Sequence, residues 1–345
     1  MTGETRHSLL PVGKLPVDRL RSLFERLSPP DPRLVVGPHV GEDAAVIDAG
    51  DRYLVVSTDP ITFTAERIGW YAVHVNANDV AVMGARPLWF FVVVLLPEGR
   101  ATSQMFEAIM ADVRSACKEL GATLCGGHTE ITRGLDRPIV VGQMIGEVEP
   151  SRLVRKSRMQ VGDRILLTQG LAIEGTAILA REQPDRLRGR VDADLLGRAA
   201  RFLIVPGISV VRAALAAAEA GAAVHAIHDP TEGGLATGLS ELVAASGLGL
   251  RVQRERIRVL PETAAISAAL GLDPLNLLAS GALLIAVAAD ETDELIAGLH
   301  AKSIDVAMIG EILPVGEGLT ISEGGRVMPL EVRDRDEIAR AWDEA

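Results

Sequence analysis

The residues of this chain best suited to chemistry are carboxylates beside glycine or other small residues at the ends of apolar segments. They are Asp43 in Gly41-Glu42-Asp43-Ala44, Asp59 in Thr58-Asp59-Pro60 and Asp79 in Asn76-Ala77-Asn78-Asp79, with Asp229 in His228-Asp229-Pro230-Thr231-Glu232-Gly233-Gly234. Gly126-Gly127-His128-Thr129-Glu130 repeats the pattern with a histidine added. Glycines let a backbone approach phosphate closely, and nearby carboxylates can hold the accompanying magnesium. Each site alone also reads as a turn, a cap or a solvated polar face. Taken together they suggest one metal-bridged polyphosphate pocket built from several loops. No Gly-Lys-Ser/Thr follows the glycines near Asp43, so this is not a Walker loop.

The elements that must position these groups are read from periodicity. Residues 74–87 form the last turns of a helix, with Val73, Ala77, Val80, Ala81 and Gly84 on one small or apolar stripe. Gly84 suits a left-handed cap and Pro87 ends the helix. A buried carboxylate is costly without a partner, so Asp79 is expected to meet a cation, a metal or backbone amides. Strands are predicted over 53–57, 88–96, 139–147, 164–168, 224–227, 281–288 and 307–313. Helices are predicted over 17–27, 104–120, 176–182, 206–220, 235–246 and 293–302. Leu20, Leu23, Phe24 and Leu27 form the apolar face of the first helix. Residues 123–130 are expected to be a short strand followed by a double-glycine turn, with Cys125 a buried strand thiol and Cys117 a core thiol on its helix.

Residues 152–162 look like the join between two α/β units, giving domains at 1–152 and 153–345. Arg152, Arg155, Lys156 and Arg158 make this join locally basic, which reads as a solvated linker or, alternatively, a phosphate contact. The chain has 345 residues, 48% hydrophobic but only 3% aromatic, so its cores are built from Ala, Val, Leu and Ile. A net charge of −11 without a basic run argues against nucleic acid as a partner. No apolar stretch reaches the roughly 18 residues of a membrane span, and no secretory leader is visible. Two cysteines make a disulfide framework or structural zinc improbable, and the cytoplasm is the expected compartment.

The order and wording of these pieces resemble the aminoimidazole ribonucleotide synthetase (PurM-like) superfamily. That superfamily includes thiamine monophosphate kinase, selenophosphate synthetase and the hydrogenase maturation protein HypE. The matching pieces are GEDAAVI, STD, VNANDVAVMGARP, GGHTE, KSRMQVGDRILLTQG, PGISVV and HDPTEGGLAT, and AIEGTAILA is worded most like HypE. The resemblance implies an N-terminal domain that forms a β-barrel across a homodimer interface, and a C-terminal α+β domain packed against it. It implies ATP in the cleft with its phosphates on Mg2+. Carried over by position, Asp43, Asp59, Asp79 and Asp229 would be metal or phosphate contacts, with Asp79 and Asp229 closest to the chemistry. Gly41, Asn78, Gly126, Gly127, His128 and Glu130 would surround the nucleotide.

The chain departs from the HypE pattern at His128, where an acid is usual, at Glu232, where Arg is usual, and at Ser280, where Glu is usual. It ends Arg-Ala-Trp-Asp-Glu-Ala, without the terminal cysteine that carries the carbamoyl group in HypE, so dehydration of its own tail is not expected. The expected activity is phosphoryl transfer from Mg-ATP to an amide, carbonyl or acid oxygen of a small molecule. The alternatives are a kinase like thiamine monophosphate kinase and a non-enzymatic nucleotide-binding factor that serves a protein partner in maturation.

Overall fold

A computed structural model describes residues 15, 17–24, 26, 31–62 and 64–343. Most of residues 1–16, and Leu27 of the first helix, lie outside them. The first half runs α1 (Val17–Phe24), β1 (Leu34–Val36), β2 (Ala45–Asp48), β3 (Tyr53–Ile61), α2 (Ile68–Val82), β4 (Arg86–Pro97), α3 (Ser103–Leu120), β5 (Thr123–Thr132) and β6 (Ile139–Val148). The second half runs β7 (Arg164–Thr168), α4 (Ile173–Glu182), α5 (Pro184–Leu187), α6 (Ala193–Ala199), α7 (Val211–Ala218), β8 (Val224–His228), α8 (Gly234–Ser246) and β9 (Gly249–Gln253). It continues with α9 (Pro261–Leu270), β10 (Leu284–Val287), α10 (Thr292–Ala301), β11 (Val306–Leu313), β12 (Leu319–Glu323), β13 (Arg326–Pro329) and α11 (Glu337–Asp343).

Each half has its own sheet. The first is six-stranded in the order β1-β2-β3-β6-β4-β5, antiparallel except for the β4–β5 pair. The second is seven-stranded, β13-β12-β9-β11-β7-β10-β8, with one parallel pair, β12–β9. Among the described residues no single helix is long and apolar enough to cross a membrane.

Helix α2 organises the molecule. All of its residues but Val75 are buried, so it is a central helix without a solvent face. Each Val or Ile taken fully from water there contributes about 1.5–3 kcal/mol. It lies tightly on β6 because β6 carries glycines at the contact. A Cβ at Gly142 would stand 2.4 Å from Asn76 Nδ2, and one at Gly146 would stand 2.4 Å from Val80 Cγ1. The helix ends as its sequence predicts, with Gly84 at φ +79° after Met83. Its opposite side meets the second half of the chain. Asn78 Nδ2 donates to the Ile208 carbonyl at 2.9 Å, and the Val210 N–H donates to Asn78 Oδ1 at 2.9 Å.

Several expectations need correction. In the first helix, described over Val17–Phe24, Leu23 is 54% exposed rather than part of an inward face. The Ala-rich helix starts at Val211, after an irregular turn through Pro206 and Gly207. Gly126 and Gly127 form no turn: they lie inside β5, where the pairing with β4 shifts register at Phe90 and Phe91. A Cβ on Gly127 would fall 1.7 Å from the Val92 carbonyl oxygen, so this glycine answers to close strand pairing. Cys125 is exposed, because β5 is an edge strand with almost every side chain in solvent. Cys117 is buried on α3 as expected, and burial pushes its thiol up to about 11.

Candidate functional site

Four segments converge where α2 faces the second half. Asp43 lies just before β2, Asp59 within β3, Asp79 on α2 and Asp229 just after β8. Asn76, one turn before Asp79, clamps the strand. The Asp59 N–H donates to Asn76 Oδ1 at 2.9 Å, while Asn76 Nδ2 donates to the Asp59 carbonyl at 3.3 Å and the Ala72 carbonyl at 2.8 Å. An amide side chain suits this because it donates and accepts at once.

Asp79 is 6% exposed, and the Ser57 hydroxyl donates to its Oδ2 at 2.5 Å. Burial, followed by the negative charges of Asp59, Asp229 and Asp43, raises its carboxyl well above the usual range. Burial and then Asp43 push Asp229 up to about 8, with His228 and Lys156 opposing. The carboxylates therefore sense one another.

Asp43 behaves differently because two cations hold it. Lys156 Nζ is 2.5 Å from Asp43 Oδ2 and also donates to the Gly41 carbonyl. His228 Nδ1 is 2.9 Å from Asp43 Oδ1, and its Nε2 is 3.0 Å from Glu241 Oε2. Burial alone would raise Asp43, but His228 and Lys156 override it and hold the carboxyl below its ordinary value. Burial would likewise lower His228, yet Asp43 and the bonds to Asp43 and Glu241 raise it to about 9. Glu42 is raised by burial, with Lys156 opposing.

Lys156, His228, Glu241 and Asn76 are the site residues that sequence reasoning did not assign. Lys156 is 1% exposed in a short turn over Lys156–Arg158, so the solvated-linker reading fails at this residue. Its signal was the basic cluster at the join. Gly41 is in place at φ +87°, where a Cβ would stand 2.7 Å from the Glu241 carbonyl. His128 and Glu130 lie elsewhere, exposed on β5 and 3.5 Å from each other. Ser280 is buried beside Glu174, whose N–H donates to the Ser280 carbonyl at 3.3 Å and whose carboxyl burial raises to about 7.

The donor set fits a divalent cation. Ligand atoms of Asp43, His228 and Asp229 all lie within 4.8 Å of one another. Both oxygens of Asp229 are buried without a hydrogen-bond partner, an arrangement that is costly unless a cation completes it. Lys156 and His228 do not balance the acids gathered here. The carboxylate oxygens of Asp43 and Asp229 suit magnesium, whereas His228, though within the same 4.8 Å group, turns both ring nitrogens to Asp43 and Glu241 and so acts as a counter-charge rather than a ligand.

The N-terminal domain model of the AIR synthase related proteins matches residues 41–148, and the C-terminal domain model matches 160–321. The chain belongs to the AIR synthase related family. Among its relatives in that family, the carbamoyl dehydratase HypE of Cupriavidus necator is 31% identical, over 80% of this chain and 78% of that protein. A putative hydrogenase expression/formation protein of Methanocaldococcus jannaschii is 28% identical, over 85% of this chain and 86% of that one. The crystal structure of E. coli HypE superposes with a TM-score of 0.69 at 25% identity, covering 89% of this chain and 95% of HypE. Thiamine-monophosphate kinase from Stenotrophomonas maltophilia shares the fold, with a TM-score of 0.66 at 24% identity over 90% and 96% of the two chains. The two-domain PurM-like fold expected from the motifs is thus the fold of this family.

Proposed function

We propose that this AIR synthase related protein is an ATP-dependent enzyme that transfers the terminal phosphoryl group of Mg-ATP to an amide, carbonyl or acid oxygen of a small molecule. The observation that carries the reading is the buried, unpartnered carboxylate of Asp229 facing the other acids of the site. The relatives named carbamoyl dehydratase favour an amide oxygen as acceptor. A HypE structure in complex with ATP, with a TM-score of 0.66, shares the same fold.

Asp43, Asp59, Asp79 and Asp229 would hold Mg2+, which when bound neutralises phosphate charge. Lys156 and His228 keep Asp43 ionised and fixed. Burial and the neighbouring acids raise Asp79, which accepts the Ser57 hydroxyl, and a bound cation would favour its ionised form. Asn78 joins α2 to the segment before α7, so the first-half acids and Asp229 keep one geometry. In the transfer, the bond from the γ-phosphorus to the bridging oxygen breaks, a bond to the acceptor oxygen forms, and ADP leaves.

Gly126, Gly127, His128 and Glu130 enter this reading through a second copy of the chain. Edge strand β5 is exposed, and Trp89, Phe91, Val93 and Leu95 of neighbouring β4 are half-exposed on one sheet face. Pairing two such sheets as a homodimer would cover them and set His128 and Glu130 at the rim of the nucleotide site. Division of the chain at residues 152 and 153 accords with a break between the two sheets.

ADP release from Mg-ATP in the presence of candidate amides and acids tests the reading. Asp79→Ala should lower it by about a thousandfold or more. Wild-type turnover in that variant would overturn the assignment. ATP binding without ADP release for any acceptor would favour the non-enzymatic factor.

A further inference from the structure

The C-terminal segment folds back onto the loop that carries Asp229. Leu330 is buried, the Arg333 N–H donates to Asn276 Oδ1 at 3.1 Å, and the Asp273 N–H donates to Glu337 Oε2 at 3.2 Å. Arg333 and Arg340 both pair with Glu337, which is 1% exposed. At the centre is Asp336, 3% exposed. Its Oδ2 accepts the N–H of Gly233 at 2.6 Å, and its Oδ1 accepts the N–H groups of Leu278 at 3.2 Å and Ile338 at 2.7 Å. One carboxylate therefore ties together the Asp229 loop, the 274–280 turn and the segment's own helix.

The loop it grips is conformationally demanding. Gly233 and Gly234 sit at φ +80° and +67°. A Cβ would stand 2.1 Å from Thr237 Oγ1 at the first and 2.6 Å from the Leu275 carbonyl at the second. The Ala279 N–H donates to the Thr231 carbonyl at 3.1 Å, so the turn and the loop are also joined directly. Burial pushes Asp336 up to about 7 against the pull of its three N–H donors. A group kept at that cost has a positional role to fill.

We propose that Asp336 is a positioning residue. It reaches from the C-terminal segment, fixes the Thr231–Gly234 loop and thereby aims Asp229. Its effect on turnover rests on the phosphoryl-transfer reading above, whereas its hold on the loop does not.

Asp336→Asn separates the two sides of the grip. One acceptor oxygen remains, enough for Leu278 and Ile338, and an amide donor is turned toward the Gly233 N–H. In the full-length protein, amide hydrogen exchange at Gly233 should rise by about tenfold or more while the α11 amides stay protected. With Mg-ATP as the probe, kcat should fall by about tenfold with KM changed by less than about threefold. Asp336→Ala should free both the loop and α11. Unchanged exchange at Gly233 in both variants would overturn the proposal, as would a freed loop with unchanged kcat. If the wild type shows no ATP turnover, the phosphoryl-transfer reading fails, and the exchange result alone decides whether Asp336 holds the loop.

Discussion

Two stretches of this chain share one wording and end in opposite surroundings. His228-Asp229-Pro230-Thr231-Glu232-Gly233-Gly234 and Gly126-Gly127-His128-Thr129-Glu130 both set a histidine and an acid beside paired glycines. The first is buried against α2, with its histidine between two carboxylates. The second runs along an exposed edge strand, where among the described residues its histidine and acid pair with neighbours in β5. The glycines differ in purpose as well. Gly233 and Gly234 take left-handed backbone in a tight loop, whereas Gly127 lets β5 close on the Val92 carbonyl. A motif states which groups are available, and burial decides what they do. In water the same acid is a solvated charge, whereas in the interior it must find a cation or keep its proton.

The largest effect should come from emptying the buried side of this comparison. Asp79→Ala should abolish ADP release while His128→Ala lowers Mg-ATP affinity by less than about threefold, since an exposed contact is screened by water. Comparable losses in the two variants would erase the distinction.

Next in size is Lys156→Ala, which leaves Asp43 buried beside Glu42 and Asp229 with one cation fewer. A cost of about 3–5 kcal/mol is expected from denaturant unfolding, with Asp43→Asn in the same chain restoring part of it. A loss no larger than that of a surface lysine would mean that Lys156 is not part of the network.

A smaller effect is predicted in the pH dependence. His228 is raised from 6.5 to about 9, so its contribution is fully present below pH 6.5 and is lost as pH rises through 9. Asp229 is raised from 3.8 to about 8, so its burial costs progressively more as pH climbs toward 8. Both act in the same direction. Stability without magnesium should fall between pH 6.5 and 9 by an amount on the order of 5 kcal/mol. His228→Gln should flatten the curve, and added Mg2+ should offset the part due to Asp229. A profile in which the wild type gains stability over that range would contradict the charge assignment.

Much of this architecture was legible in the chain. The small apolar stripe before Gly84 marks α2, and Asp43, Asp59, Asp79 and Asp229 do converge around it. Each acid borders or interrupts an apolar run, and such runs are what a fold gathers at its centre. Lys156 was only half legible: the basic cluster at the join marked it, but a lysine among arginines looks solvated until an acid from another segment is brought to it. Glu241 was hidden for the same reason, as its partner His228 lies across the β8–α8 turn. The double glycine of β5 misled because turns and close strand pairs both favour glycine. The charged C-terminal stretch gave no sign of Asp336, since the N–H groups that bury it belong to Gly233 and Leu278, far away in sequence.

The central claim is that these buried acids form a site for a magnesium-bound nucleotide. Titration of the purified protein with ATP, followed by calorimetry with and without Mg2+, tests it most directly. The account predicts binding that depends on Mg2+ and disappears in Asp79→Ala. Equal binding with and without the metal, or no binding in either condition, would contradict it.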